Sequence, residues 1–228
     1  MTLHARKALH FDFVDVALLC VMTSEQLLPG FQALFDAIAN DLREHGYSIQ
    51  SKALPEQWLD GLLRDMHALG ADQLKPAGVG RAQQHVANAN IRRDAISWIE
   101  STEGAQGQWL AFSAQLQQHL NRSLMLGLFS FESHFAHYAP GAFYKTHVDA
   151  FKGQANRVLS VVLYLNPGWG QEDGGEMVLY SDQGSQTVLE TIQPEAGTLA
   201  VFLSEDFPHE VLPAKRHRYS IAGWFRKN

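Results

Sequence analysis

The sequence predicts an α+β fold, with helices in the first half and a β-sandwich or barrel in the second. Three observations carry this. Up to about Arg122, apolar residues recur every three to four positions, the pattern of helices that bury one stripe. From Gly127 the pattern changes to short β-forming runs separated by turn residues. A length of 228 residues with 46% hydrophobic content suits one sizeable domain with a real core.

Phe31, Leu34, Phe35, Ile38 and Leu42 define the first helix, and Gly46 stops it. The run YSIQSKAL reads as a short strand. Pro55 then opens a second helix, whose stripe is Trp58, Leu59, Leu62, Leu63, Met66 and Leu69. Gly70 to Asn90 is rich in Gly, Ala, Asn and Gln and has no period, so it is expected to be a long loop serving as a lid. A third helix follows at roughly Ala105 to Arg122, with Trp109, Phe112, Leu116 and Leu120 on one side. The remaining chain gives about eight strands: LFSFESHFAHY, FYKTHVD, VLSVVLYLN, GGEMVLYS, TVLETIQP, GTLAVFLSE, HEVLP and RYSIAGWFR. PGA, NPGWGQEDGG, SDQGS and PEAG break them apart.

A formal net charge of −6 and the lack of any Lys/Arg block argue against nucleic acid as the partner. The single cysteine, Cys20, excludes an intrachain disulfide and a Cys-based zinc site. Arg6 and Lys7 precede an apolar run, Phe11 to Met22, in the manner of a signal peptide. Asp12 and Asp15 interrupt that run, however, no small-x-small cleavage site follows, and it is too short to span a bilayer. The expectation is a cytoplasmic protein without membrane association. Residues 1–23 read as an N-terminal extension, with Met22 as an alternative start before a helix cap at Thr23 or Ser24. Residues 24–228 read as a single domain, with helical support at 24–126 and the β core at 127–228.

Two H-x-D triplets occur, His10 with Asp12 and His147 with Asp149. In a strand, residues i and i+2 share a face, so either pair presents an imidazole beside a carboxylate. A triplet this short is more often coincidence than site. Only the second has a further histidine downstream in the β half, His209, sixty residues after Asp149. Two imidazoles and a carboxylate are the facial set that leaves octahedral positions open for chemistry. Nine residues after His209, Arg218 opens the last strand, where a guanidinium suits a bidentate pair with a buried carboxylate and so suggests a dicarboxylate cosubstrate. His134, His137 and His217 read as structural or exposed, and Gly174 with Gly175 as a turn or bulge.

Four stretches carry a family resemblance: NIRRDAISWIE at 90–100, HYAPGAFYKTHVD at 137–149, RVLSVVLYLN at 157–166 with DGGEMVLY after it, and PHEVLPAKRHRYSIAGWF at 208–225. In these the sequence resembles the Fe(II)- and 2-oxoglutarate-dependent prolyl hydroxylases, in the branch of the oxygen-sensing enzymes and their bacterial relatives. The resemblance runs from Phe31 to Phe225. It implies a double-stranded β-helix (jelly-roll) core with N-terminal helices packed on the larger sheet. It also implies Fe(II), 2-oxoglutarate and O2, with ascorbate as an optional further reductant.

By the same resemblance His147, Asp149 and His209 are the iron ligands and Arg218 holds the distal carboxylate of 2-oxoglutarate, with the Tyr164 hydroxyl as its partner. Tyr138 lines that pocket, although its interval to H-x-D is one residue shorter than in the animal form. Arg157 and Trp224 stand near the substrate. Arg92 and Asp94 form the hinge of a loop that closes over a bound peptide, and Asp94 is expected to pair with Arg157 across the entrance. The implied substrate is a prolyl residue in a protein, elongation factor Tu among bacterial partners. Hydroxylation of a free amino acid or small metabolite is an alternative, as is a non-catalytic sensor domain that binds metal or ligand.

Overall fold

Helix α1 (Gln32–His45) buries Phe35, Ile38, Ala39 and Leu42, a stripe at helical spacing. Arg43 and His45 in its last turn face the negative end of the helix dipole, and Gly46 leaves the helix at φ 78°, a left-handed value that favours glycine. Helix α2 (Glu56–Ala68) follows Pro55 and buries Leu59, Gly61, Leu62 and Met66. Helix α3 (Gly104–Leu124) buries Trp109, Phe112, Ser113, Leu116 and Leu120. These are the residues of a computed structural model that describes positions 30–70, 72–78, 90–150, 156–181 and 187–227. The chain divides into two units, Met1–Phe31 and Gln32–Asn228, and the described helices and strands all belong to the second. Of the first only Gly30 and Phe31 are described, so His10, Asp12, Cys20 and the alternative start at Met22 lie outside the described residues.

Eleven strands are described: β1 (Tyr47–Gln50), β2 (Lys75–Pro76), β3 (Asp94–Trp98), β4 (Ser130–Tyr138), β5 (Tyr144–His147), β6 (Arg157–Tyr164), β7 (Met177–Tyr180), β8 (Val188–Ile192), β9 (Leu199–Leu203), β10 (His209–Val211) and β11 (Arg218–Arg226). They build a seven-stranded sheet in the order β1-β9-β6-β11-β4-β3-β2 and a four-stranded sheet in the order β5-β10-β7-β8. The strand pairings are antiparallel. From β4 onward the chain passes back and forth between the two sheets, which is the winding of a double-stranded β-helix. The expected jelly roll is therefore present. Its eight core strands are the eight turn-punctuated runs read from the sequence.

The helices back the larger sheet through a line of aromatic rings. Phe35 in α1 meets Phe112 in α3 at 5.3 Å, and Trp109 meets Phe131 of β4 at 6.0 Å. Phe131 in turn packs on Phe225 of β11 at 4.6 Å. The Trp109 indole N–H donates to Ser133 Oγ at 3.1 Å, so its one polar atom is satisfied inside the core. No described helix is long and apolar enough to cross a membrane.

The structure adds to or departs from the sequence reading in three places. Strand β1 ends at Gln50 rather than running to Leu54, because Lys52 takes a left-handed φ of 53° and turns the chain. The IRRD segment, expected as a hinge, enters both sheets. Arg92 bridges to Tyr144 at the edge of the small sheet, and from Asp94 the chain pairs with β4 in the large one. The long loop contains the two-residue strand β2, paired with β3. Within the expected lid, Ala71 and residues 79–89 lie outside the described residues.

Candidate metal centre and the cleft around it

His147 ends β5, His209 opens β10, and the two are direct partners in the antiparallel register. Their rings are 4.3 Å apart. Asp149 sits in the bend after β5, where Ala150 N donates to Ser204 O at 3.2 Å and fixes the turn. The ligand atoms of the three side chains all lie within 4.8 Å of one another. Asp149 Oδ1 is 3.6 Å from His147 Nε2 and Oδ2 is 3.7 Å from His209 Nε2.

The orientation of the donor atoms suits a metal. His147 Nδ1 lies 2.8 Å from the Lys145 carbonyl and His209 Nδ1 3.1 Å from the Phe207 carbonyl. A carbonyl only accepts, so each Nδ1 carries a proton and each Nε2 is the ring nitrogen turned toward the centre. Burial, reinforced by the second imidazole, pushes His209 down to about 4. For Asp149 burial works the other way, yet His209, His147 and the Ser160 hydroxyl hold the carboxyl well below the usual range. Ser160 Oγ donates to Asp149 Oδ2 at 2.7 Å and lies 2.9 Å from Ser204 Oγ. Two imidazoles and a carboxylate, with no sulfur, fit Fe(II) with open positions.

A cleft of about 900 Å³ between the two sheets contains these ligands. On one side lies Arg218, only 1% exposed, with no carboxylate partner among the described residues. Its Nε donates to Gly175 O at 2.9 Å and its NH1 reaches Ser220 Oγ at 3.4 Å. The rings of Tyr138 and Tyr164 lie 4.9 and 5.0 Å from its Cζ. The shorter interval before H-x-D therefore leaves Tyr138 against Arg218. The Tyr164 hydroxyl is buried with no partner at hydrogen-bond geometry among the described residues, and burial pushes it up to about 12, opposed by the charge and the side chain of Arg218 beside it. A buried cation beside an orphaned hydroxyl fits a carboxylate that both would bind.

On the other side, Arg157 Cζ lies 3.6 Å above the Trp224 ring. The expected Asp94–Arg157 pair is absent. Asp94, 3% exposed, accepts from Arg92 Nε at 2.7 Å and NH2 at 2.5 Å, while Arg157 pairs with Glu132 at 2.9 Å. The reason is local: β3 begins at Asp94 and draws its carboxylate inward beside Arg92, two residues away. Burial opposes the Arg92 charge, but Asp94 raises its pKa overall. Arg92 Cζ also lies 4.3 Å from the Tyr144 ring, which stacks on His147 at 3.5 Å.

Several residues of the cleft do not stand out in the sequence. His134, expected to be structural or exposed, is buried and lines it, between Trp98 at 5.2 Å and Trp224 at 5.5 Å. Glu132, Tyr144 and Arg226 also line it. Strand alternation holds the missed signal: residues 132, 134, 136 and 138 share a face with Tyr138, and 220, 222, 224 and 226 with Arg218. Ser160 and Ser204 carry no such signal, since each reaches the site only by pairing across β6 and the end of β9.

A family model for the 2OG-Fe(II) oxygenase superfamily matches residues 133–226, which span all three ligands and Arg218. A crystal structure of a Pseudomonas putida prolyl-4-hydroxylase is 41% identical, with a TM-score of 0.77, over 85% of this chain and 100% of that one. This chain belongs to the prolyl hydroxylases among the 2OG-Fe(II) oxygenases. A Trichoplax adhaerens prolyl hydroxylase, solved in complex with a hypoxia-inducible factor oxygen degradation domain peptide fragment, is similar to this family member at 26% identity and a TM-score of 0.75, over 86% of this chain and 90% of that one. Human Egl nine homolog 1 is 26% identical over 207 residues, 87% of this chain and 48% of that protein. The prolyl hydroxylase chain thus spans about half the length of that curated relative and 60% and 51% of its rat and mouse counterparts. Fe(II), 2-oxoglutarate and O2 are the cofactors of the family, and the donor set of the cleft fits them.

Proposed function

We propose that this protein is an Fe(II)- and 2-oxoglutarate-dependent dioxygenase that hydroxylates a prolyl residue within a protein. The observation that carries the reading is one cleft holding a His, Asp, His triad and a buried arginine with no carboxylate partner among the described residues. When bound, the iron with 2-oxoglutarate and O2 supplies the oxidising power for an unactivated C–H bond. The chain's own residues do the rest. His147, Asp149 and His209 hold the metal, and the Ser160 hydroxyl and the two backbone carbonyls keep the ligands aimed inward. Arg218 and Tyr164 bind and orient the distal carboxylate of the cosubstrate. Met177 and Val211, both buried and both lining the cleft, exclude water beside it.

A polypeptide substrate is favoured by the size of the cleft. A volume of 900 Å³ is at the upper end of what a drug-sized ligand fills, and a five-carbon diacid leaves most of it free. Trp98, 48% exposed, stands at its edge, available to a chain entering from solvent. Elongation factor Tu is the specific substrate in this reading, on the resemblance to bacterial members, and the cytoplasm its compartment.

The test compares the proteomes of cells with and without the gene, scoring gain of one oxygen atom on proline by mass spectrometry. Complementation by the wild type and by His10→Ala should restore the modification, and complementation by Asp149→Ala should not. If purified enzyme hydroxylates free proline as well as it does any protein, the small-metabolite reading replaces this one.

A further inference from the structure

Beyond the triad, β4, β6 and β11 place four side chains together at the part of the cleft away from Arg218. Trp224 faces Glu132 on one neighbouring strand and Ser160 on the other, and Arg226 faces Arg157. Because Ser160 holds Asp149, this group begins at the level of the metal ligands and extends past it along β11. Glu132 sits between two guanidinium groups. Its Oε1 accepts from Arg157 Nε at 3.2 Å and NH2 at 2.9 Å, and its Oε2 accepts from Arg226 NH1 at 2.9 Å.

The group has more donors and more positive charge than its one carboxylate can satisfy. Two cations face a single anion. The other charged pair lining the cleft, Arg92 with Asp94, is closed on itself. His134 contributes no charge near neutrality, since burial pushes it down to about 4. Arg226 Nε and Trp224 Nε1 are both buried without an acceptor among the described residues. Unsatisfied buried donors are uncommon in native proteins, and each needs a reason. Arg157 and Arg226 remain about one-third exposed, so an incoming acceptor can reach the pair from solvent.

We propose that Glu132, Arg157, Trp224 and Arg226 form a subsite for a carboxylate, the side chain of an aspartate or glutamate lying beside the target residue in the substrate chain. The proposal rests on the reading of the cleft as a site for polypeptide hydroxylation. Glu132 acts here as a positioning residue. It binds both guanidiniums and keeps Arg157 over the Trp224 ring, while its own charge offsets only one of them. A carboxylate supplies the second anion and accepts from the leftover donors, whereas a neutral or cationic flank leaves them unpaired. Bidentate geometry on arginine gives the subsite selectivity as well as attraction.

The test uses fluorescein-labelled, end-blocked peptides with one central proline in an alanine–glycine context. Each flanking position is replaced in turn by Asp, Asn or Lys. Binding to the enzyme loaded with Fe(II) and 2-oxoglutarate is measured by fluorescence anisotropy under nitrogen, so that nothing turns over. At one flanking position Asp should bind about tenfold or more tightly than Asn, the gain of a charge-assisted pair, and Lys weaker than both. Arg226→Met and Arg157→Met should each reduce that ratio, and Glu132→Gln should weaken it, with Glu132→Asp restoring part. Peptides that bind without regard to charge, or an Asp series that fails to bind, overturn the subsite, as does an Asp preference that survives both arginine variants. Admitting air separates this proposal from the one it rests on. Charge-dependent binding without hydroxylation keeps the subsite and removes the hydroxylase reading, while equal hydroxylation of all three series does the reverse.

Discussion

Arg218 is a fully buried guanidinium that a carbonyl and a hydroxyl contact but no carboxylate among the described residues neutralises. A charge held this way is expensive unless a ligand completes it, and the buried Tyr164 hydroxyl beside it, without an acceptor or donor at hydrogen-bond geometry among the described residues, suits the same ligand. Arg218→Met keeps much of the bulk and removes the charge. It should lose about 2–4 kcal/mol of cosubstrate binding, which appears as a rise of about thirty- to a thousand-fold in the 2-oxoglutarate Kd. Tyr164→Phe removes one neutral hydrogen bond and should lose about 1 kcal/mol. Titration calorimetry with the metal-loaded protein reads both. An unchanged Kd in Arg218→Met would place the dicarboxylate elsewhere.

The elements show which parts of this arrangement local sequence specifies. Helices α1 to α3 and the eight core strands follow from apolar periodicity and turn residues, because each buries one face against a neighbour. The triad is legible because its members are rare residue types at telling separations. Strand β3 is not. DAISW has no clean alternation, and its extended form comes from pairing with β4, a contact some forty positions away. The partner of Asp94 escapes the sequence for the same cause, since only the fold brings Arg92 inward and sets Arg157 on Glu132. Gly174 and Gly175, read as a turn, do turn the chain, at φ 65° and 76°. They also present the carbonyl that holds Arg218. A Cβ at Gly175 would come within 2.8 Å of Ala214 Cβ and 3.3 Å of Arg218 Cδ. Gly175→Ala should therefore lose about 1–3 kcal/mol of stability from left-handed strain and crowding, and should weaken 2-oxoglutarate binding as Arg218 shifts. Adding Ala214→Gly should relieve the crowding and recover part of both losses in denaturant titrations and calorimetry. Full binding in the single variant would mean the Gly175 carbonyl does not set the arginine.

For the whole molecule, the helices cover the outer face of the larger sheet, and the cleft lies between the sheets. Some polar groups on the inner faces are thereby held out of solvent, while others, such as Arg157, stay partly exposed. His134 shows the consequence. It is 4% exposed, its Nδ1 donates to the Phe135 carbonyl at 3.1 Å, and the rings of Trp98 and Trp224 flank it. Burial lowers its pKa to about 4. The nearby Arg92 and Arg157 charges act in the same direction, and Asp94 opposes them. In the unfolded chain the imidazole titrates near 6.5, so between pH 6.5 and 4 the unfolded state binds a proton that the folded state refuses. The stability tied to this group is therefore complete above pH 6.5 and is lost as pH falls toward 4, by about 3 kcal/mol in total. His134→Gln keeps a donor for the Phe135 carbonyl and cannot titrate. Buried His209 contributes an acid loss of its own in both proteins, so the informative quantity is the difference between wild type and variant. That difference, from urea unfolding at intervals from pH 7.5 to 4, should be constant above pH 6.5 and then shift in favour of His134→Gln by about 1.4 kcal/mol per pH unit. Parallel stability curves across that window would show that His134 keeps its ordinary affinity for protons and that water reaches the space between the sheets.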